Sequence, residues 1–258
     1  MISFTSAELD AWIAAFAFPM VRILALLVAA PPFNNAGLST RVRLVLGLAV
    51  AMAIIPALPP APAVNPASGP GLLILSQQMI IGFAMGFALR LVFSAIDLAG
   101  MMISTQMGLG FATAYDPQTT SQTPVVSELI GMLALLVFLS IDGHLMVIAT
   151  LVKSFSVLPI GGAVLEASWL NIANAGGLIF ASGVMLALPV LVALLITNTA
   201  LGVLGRVAPQ LNLIVIGFPV TILLGFVALY VGMSYFAAPL QQLFEHGLRS
   251  MLGFFLLR

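Results

Sequence analysis

Long apolar runs, separated by short polar or Pro-rich stretches, dominate the chain from its N-terminal region to its end. A helix of about 20 apolar residues crosses the hydrocarbon core of a bilayer. The pattern predicts six such segments; the second is short, and the fourth is broken by Asp142-Gly143-His144. They cover residues 11–33, 44–58, 71–96, 125–152, 172–196 and 213–236. We therefore predict an all-α membrane protein of hydrophobic helical hairpins, partly broken.

Two stretches interrupt the apolar pattern. Prolines crowd the region of residues 59–70, which predicts a stiff extended loop outside the bilayer. The longest polar passage runs from Gln106 to Ser127, QMGLGFATAYDPQTTSQTPVVS. Its glycines loosen the backbone, and Asp116-Pro117 indicates a turn. Either an ordinary solvated connection or a functional loop fits this passage.

The third and last segments are unusual in length. The third pattern continues to Met107; as one helix it would be about 55 Å long, so it either kinks or projects beyond the membrane. The tail, residues 241–258, is amphipathic and is expected on the surface or against a partner. Glycine (23) and proline (16) are frequent, and broken helices persist only where protein or a wet cavity satisfies the freed backbone groups. We therefore expect other subunits to bury these spans.

Composition supports an integral membrane protein. Apolar residues make up 62% of 258 and charged residues 6%, against about 25% charged residues in soluble domains. The net charge of zero argues against nucleic-acid binding, since the sequence has no basic patch to neutralise phosphates. The absence of cysteine excludes disulfides and thiolate sites. The N-terminus lacks a basic signal-peptide region, so the first span is expected to be retained, with Arg41 and Arg43 favouring an external N-terminus.

Few residues suggest chemistry. Arg90 and Asp97 are two turns apart on one helix face, which favours structural pairing over a proton relay. Asp142 and His144 are close in sequence, and we expect capping or an interface rather than acid-base work. No nucleotide, metal or catalytic motif occurs, so no cofactor and no enzymatic activity are predicted.

Packing devices also occur in the pattern. Gly82 and Gly86 have the GxxxG spacing that lets helices approach closely. Methionines cluster just before the polar passage, at positions 101, 102 and 107. Ordinary packing explains them, and so does a soft seal around an opening, because methionine is flexible and polarizable.

Several blocks resemble the FliR/SctT family of type III secretion export-gate proteins, in order along nearly the whole chain. The first blocks are Arg41-Val-Arg43, QMGLGFAT from Gln106, Asp116-Pro117, Gly143-His144-Leu145 and Leu158-Pro159-Ile160-Gly161. The later blocks are Leu188-Pro189, NTALG from Asn198, RVAPQLN from Arg206 and Gly217-Phe-Pro219. The Pro-rich loop and the tail carry no part of this signature.

The resemblance implies a non-enzymatic, multi-pass subunit of the flagellar export gate in the bacterial inner membrane, at the flagellar basal body. One copy is expected to join several FliP and FliQ homologues in a helical, pore-forming complex that passes unfolded proteins, with FlhB and FlhA nearby. The implied fold is a single membrane domain, residues 1–258. In it a FliP-like half with the plug loop, about 1–125, is joined to a FliQ-like half, about 126–258.

In this family the loop after the third segment plugs the closed pore. Carried onto this chain, the plug runs from about Gln106 to Gln122, with Phe111 and Tyr115 as bulky occluders and Met107 as a candidate contributor to a methionine gasket. The implied plug and gate residues are Gln106, Met107, Gly108, Gly110, Phe111, Tyr115, Asp116 and Pro117. The residues expected in structural or inter-subunit polar contacts are Arg90, Asp97, Asp142, His144, Asn198, Arg206, Gln210 and Asn212.

Three alternatives stay open at this point. The first is the SctT subunit of a virulence injectisome, which has the same fold and a different cargo. The second is a secondary transporter with broken helices and a relay through Arg90 and Asp97. An intramembrane enzyme is the third, although the sequence shows no catalytic set for it.

Overall fold

The computed structural model describes residues 6–34, 37–109, 124–162, 166–208, 210 and 213–255. Helices account for most of these residues, and none of them lies in a strand. The helices are α1 (Ser6–Ala29), α2 (Thr40–Ile54), α3 (Gly69–Gln106), α4 (Val125–Ser140), α5 (Gly143–Val157), α6 (Glu166–Asn174), α7 (Gly177–Val207) and α8 (Leu213–Gly253), with 3-10 turns at Pro31–Phe33 and Ile55–Ala57. Within these ranges, five helical segments are long and apolar enough to cross a membrane, or six if α4 and α5 form one bent span. The predicted all-α membrane fold is confirmed.

The third segment is one unbroken helix. α3 has 38 residues, a length of about 57 Å at 1.5 Å per residue. A hydrocarbon core is about 30 Å thick. The segment is therefore longer than the core, as predicted, and both expectations for it, a kink or a projection, stay predictions.

The fourth segment breaks where the sequence predicted. α4 and α5 are bent by 65° at Ile141-Asp142. Asp142 has φ 55°, a left-handed conformation that few residues other than glycine adopt. Its side chain makes no capping hydrogen bond to α5.

The predicted fifth segment, residues 172–196, begins within two residues of the apolar span Leu170–Val207, but it ends too early. Ile172 belongs to the short helix α6, and after a break at Ala175-Gly176 the helix α7 begins at Gly177, the second of two consecutive glycines, which weaken a helix. At its other end α7 continues through polar residues to Val207. Thr197 and Thr199 donate their hydroxyls to carbonyls one turn back, at 2.9 and 2.8 Å, so their polarity does not end the helix.

The sixth segment and the tail form one helix. α8 passes through Pro239 and ends at Gly253, well beyond the predicted limit at residue 236. Leu248 and Met251 in the tail are buried. The chain itself therefore covers much of the tail's apolar face. The sequence predicts a tail on the surface or against a partner, and the structure packs it against its own chain instead.

The chain forms two compact units, each drawn from several stretches. Unit 1 contains residues 1–91, 142–176 and 245–258. Unit 2 contains residues 92–141 and 177–244. The predicted halves, about 1–125 and 126–258, stay a prediction, because these units group helices by contact and do not test an origin from two related proteins.

Close helix contact between α1 and α3 organises unit 1. Gly82 lies directly against the Arg22 carbonyl and Ala25, and Gly86 lies against Leu26 and Ala29, which confirms the close approach predicted for the GxxxG spacing.

The Pro-rich loop leads into α3 within the same unit. Residues 59–65 have no regular secondary structure, consistent with the predicted loop. At its end the Asn65 amide donates to Asp10 at 3.2 Å, and the Asn65 side-chain oxygen accepts from the Ala67 amide at 2.8 Å. Asn65 thus turns the chain into α3.

Three phenylalanines form an aromatic cluster in unit 2. The rings of Phe93, Phe138 and Phe244 have centroid separations of 5.2 to 6.1 Å in tilted and edge-on arrangements. Such geometry adds to the stabilisation from apolar burial. The cluster ties the last part of α3 to α4 and α8.

Candidate functional site

The start of the predicted plug passage is a tightly built helix end. Gly108 has φ 82° and donates its amide to Thr105 at 3.0 Å, while Leu109 donates to Ser104 at 3.0 Å. This pair of bonds around a left-handed glycine is a Schellman motif, which satisfies the last carbonyls of a helix. Gly108 therefore ends α3 at Gln106. This is a more specific role than the loosening of the backbone that the sequence predicted for it.

The side chain of Met107 is locked at this helix end. Met107 is fully buried. A Cβ atom on Gly225 of α8 would lie 2.6 to 2.8 Å from the Met107 side chain, so only glycine leaves room for it there. The ring of Phe218, also on α8, lies against Gly108. One end of the passage is thus seated on α8 within unit 2.

The other end of the passage is held on α3. Pro124 precedes the first turn of α4, and the Ser127 hydroxyl donates to the Asp97 carbonyl at 3.0 Å. Gly100 lies directly against Ser127, where a side chain would collide with the backbone. We call these two ends, residues 107–109 and 124–127, the plug base, after the passage between them that is predicted to be the plug.

Between these ends lie most of the predicted plug residues. Gln106 is half-buried at the last turn of α3. The other members of the set, Gly110, Phe111, Tyr115, Asp116 and Pro117, lie outside the described residues. Their role stays a prediction.

Gly108 supplies a direct test of the plug base. We expect Gly108→Ala to destabilise the folded chain by roughly 1–2 kcal/mol, because an L-residue is strained at this φ and its Cβ would press on Phe218. Thermal unfolding of the full chain in mild detergent measures this. Gly202→Ala is the matched control, since Gly202 lies within α7 with no neighbour near its Cβ position, and it should leave stability unchanged or raised. Equal melting temperatures for the two variants would contradict the assignment of Gly108 as the left-handed residue that ends α3.

Arg90 and Asp97 are both exposed on α3, and each lines an apolar groove of its own unit. The Arg90 groove, about 410 Å³, also includes Phe83 and Phe87. The Asp97 groove, about 470 Å³, includes Met101 and Phe180. In the described part of the chain neither residue makes an ion pair; the pair found there joins Glu245 and Arg249.

The remaining predicted polar residues are scattered. Asp142 is exposed at the bend between α4 and α5, and His144 is half-buried, with its Nδ1 lacking a partner among the described residues. Asn198 is half-buried within α7, and Arg206 is exposed in the last turn of α7, where a cation complements the helix dipole. Gln210 is exposed, and Asn212 lies outside the described residues.

A buried arginine was missing from the predicted set. Arg22 is fully buried in unit 1, where Nε donates to Gln78 Oε1 at 2.8 Å, Nη1 to Ser154 Oγ at 3.1 Å and Nη2 to the Leu158 carbonyl at 2.9 Å. Its guanidinium also lies 4.1 Å from the centre of the Phe155 ring. The network joins α1, α3 and α5. An ionisable residue inside an apolar span is itself a signal of a special site, and it could have marked Arg22.

Comparison with known proteins identifies the family of this chain. The profile of the family described as "Bacterial export proteins, family 1" matches residues 13–247. A flagellar biosynthetic protein FliR from Pectobacterium carotovorum subsp. carotovorum is 43% identical over 232 residues, which cover 89% of this chain and 88% of the relative. The FliR of Escherichia coli strain K12 is 43% identical over 226 residues, with 87% and 86% covered. The FliR of Bacillus subtilis strain 168 is 27% identical over 241 residues, with 92% and 93% covered. The chain therefore belongs to the FliR family of bacterial export proteins.

Proposed function

We propose that this chain is a subunit of the flagellar type III protein export gate in the bacterial inner membrane. In this proposal it assembles with FliP- and FliQ-like chains into a pore for unfolded flagellar proteins, and its passage from about Gln106 to Gln122 closes that pore. The flagellar assignment, rather than an injectisome, is supported by relatives that carry the name flagellar biosynthetic protein. Passage and closure need no covalent step, so we propose no enzymatic role.

The plug base is the observation that carries this proposal. A polar passage leaves α3 at Gly108 and returns at Pro124, and both ends are fixed by close contacts inside unit 2. Packed supports of this kind open only at a high free-energy cost. A polar, glycine-containing connection between two fixed ends suits a plug. An exported chain could displace the connection, and the fixed ends would return it to the closed position afterwards.

Apolar surface on α8 supports assembly with other membrane chains. In the most apolar window of α8 only 22% of the residues are buried. A groove of about 660 Å³ follows one face of this helix, and Tyr230 at its end is 77% exposed. The groove is lined by Phe218, Pro219, Ile222, Leu223, Phe226, Val227 and Tyr230. Helices of FliP- or FliQ-like chains would cover such a face.

Purification in mild detergent tests the assembly. We expect FliP- and FliQ-like chains to copurify with a tagged copy of this chain and to migrate with it as one particle. A chain that is recovered alone, stable and monodisperse, from cells that express all three would contradict the proposal. Expression of all three with an untagged copy of this chain provides the reference for nonspecific copurification.

The contact between Met107 and Gly225 tests the closure itself. We expect Gly225→Leu to push Met107 from its seat and to make cells that carry the assembled complex leak ions, because the added side chain needs the space that Met107 fills. Potassium efflux measures the leak. Gly232→Leu is the control, since Gly232 is on the same helix and has only ordinary contacts around its Cβ position.

A double variant separates this contact from general damage to α8. If Gly225→Leu causes the leak by displacing Met107, then Met107→Ala should relieve part of that leak. The leaks of the two single variants should therefore not add in the double variant. Strict additivity, or an equal leak from Gly232→Leu, would contradict a specific role for the contact.

A further inference from the structure

A groove in unit 2 has one charged residue in a mostly apolar lining. Residues of α3, α4 and α7 form it, and its volume is about 470 Å³. Asp97 is the one charged residue among the described residues that line it. Met101 and Phe180 also line it, and they are 55% and 67% exposed. Exposed apolar side chains around a polar group mark a surface that another molecule covers.

Close backbone contacts fix the walls of this groove. On one side Gly100 of α3 lies directly against Ser127 of α4. On the other side Gly183 of α7 lies against the Ala95 carbonyl and the Leu98 side chain of α3. A side chain at either glycine would collide with these neighbours, so the three helices are held close together. The groove is therefore preformed, as binding sites usually are.

The carboxylate of Asp97 has no partner in the part of the chain that the structure describes. Its Oδ1 is 3.8 Å from the position that a Cβ atom would take on Gly131, and glycine has no side chain to cover it. The backbone carbonyl of Asp97, by contrast, accepts from the Ser127 hydroxyl at 3.0 Å. Asp97 is thus held in place while its carboxylate remains without a counter-ion.

Unit 2 has no cation near enough to neutralise this carboxylate. Its sequence, residues 92–141 and 177–244, contains a single Lys or Arg, which is Arg206. Phe180 at the groove and Arg206 lie on the same helix, α7, at a separation of about 39 Å at 1.5 Å per residue. The atoms of an ion pair lie within about 4 Å of each other. The counter-ion of Asp97 must therefore come from outside this unit.

We propose, on the basis of the assembly in the proposed function, that the groove receives a lysine or arginine side chain from a helix of a neighbouring chain. This cation pairs with Asp97. A helix that covers the apolar lining also removes Asp97 from water, and an unpaired charge is costly in such a place. A basic side chain removes that cost, and Phe180 offers it an aromatic face that attracts cations.

Two other occupants fit the groove less well. A bound Ca²⁺ takes about 6–8 oxygen ligands, whereas the side chains of Asp97, Ser94 and Ser127 bring one carboxylate and two hydroxyls. An anionic lipid would place its phosphate against the carboxylate, which repels it. A neighbouring helix brings both parts, an apolar surface for Met101 and Phe180 and one cation for Asp97.

Charge reversal in the complete complex tests the pair. We expect Asp97→Arg to lower the amount of FliP- and FliQ-like chains recovered with the tagged chain about tenfold, because it places like charges together in the interface. Glu128→Arg is the matched control, since Glu128 is an exposed acid on α4 that does not line the groove. It should leave the recovery unchanged. Equal recovery with Asp97→Arg, or equal loss with Glu128→Arg, would overturn the proposal.

The unaltered chain separates this proposal from the assembly on which it rests. If the assembly itself is wrong, the unaltered chain recovers no partner, and both proposals are overturned. If only the groove is assigned wrongly, Asp97→Arg recovers as much partner as the unaltered chain does. Thermal unfolding of each variant expressed alone excludes general damage, because Asp97 is exposed and its replacement should leave Tm unchanged.

Crosslinking keeps Asp97 in place and identifies the occupant. A photoreactive phenylalanine analogue at Phe180, in cells that express the complete complex, should form an adduct with a FliP- or FliQ-like chain, at a helix that carries Lys or Arg beside the crosslinked position. Changing that cation to Glu should then restore the recovery that Asp97→Arg lowers, because the pair forms again with its signs exchanged. An adduct with lipid, with a second copy of this chain or with a helix without Lys or Arg would overturn the proposal, as would the absence of any adduct. The adduct decides the question even if Asp97→Arg fails to accumulate.

Discussion

We expect cells whose chain lacks Gly110–Gln118 to leak ions through export complexes that still assemble. The deletion removes Phe111 and Tyr115, the two bulky side chains of the proposed plug. It leaves the plug base intact, because the Schellman end of α3 and the Ser127 contact to Asp97 lie outside it. The closure should therefore be lost while its support remains. Potassium efflux and growth at raised salt measure the barrier, and copurification of the partner chains confirms assembly.

A length-matched replacement separates the bulk of the plug from the length of the connection. Replacing residues 110–118 with a Gly/Ser sequence of the same length keeps the span between the two ends and removes the occluders. We expect this variant to leak as the deletion does. Thr119→Ala combined with Thr120→Ala, in the adjoining polar run, should keep the membrane tight. An intact barrier in assembled complexes that carry either the deletion or the replacement would refute the plug assignment.

Hydropathy predicted the helical membrane architecture well because a bilayer permits few backbone conformations. Backbone groups in hydrocarbon must bond within the segment, so a long apolar run becomes a helix. The break at Asp142-Gly143 was visible for the same reason, since a polar Asp-Gly pair interrupts the run. Segment ends were less accurate. Pairs such as Thr197 and Thr199 look like a terminus in sequence, yet their hydroxyls bond to the preceding turn and the helix continues.

The supports of the candidate site could not be predicted in this way. Met107 and Gly225 are far apart in the chain, and a glycine in a glycine-rich helix carries no local mark of the side chain it accommodates. Arg22 is a charged residue within the first apolar segment, which the sequence shows, but its acceptors are 56 to 136 residues away. Periodicity reports which face of a helix is apolar; it does not report which distant group fills a gap in that face.

Replacing Arg22 with alanine should destabilise unit 1 more than any other single change in its interior polar groups. Gln78 Oε1 and the Leu158 carbonyl would lose their donor in a buried site, and the removed side chain would leave a cavity beside Phe155. We expect a loss of about 3–5 kcal/mol, which lowers Tm by roughly 10 °C. Thermal unfolding of the full chain in mild detergent measures this, and the exposed Arg206→Ala is the control that should leave Tm unchanged.

Two further substitutions at this position separate packing from hydrogen bonding. Arg22→Met restores much of the volume but no donors, and Arg22→Lys restores the charge and reaches only part of the acceptor set. If the network stabilises the fold, both variants should melt between Arg22→Ala and the unaltered chain. Burying a cation among neutral acceptors carries a desolvation cost that an apolar side chain avoids. A Met variant that melts at or above the unaltered chain would therefore show that Arg22 contributes volume rather than net stabilisation from its hydrogen bonds.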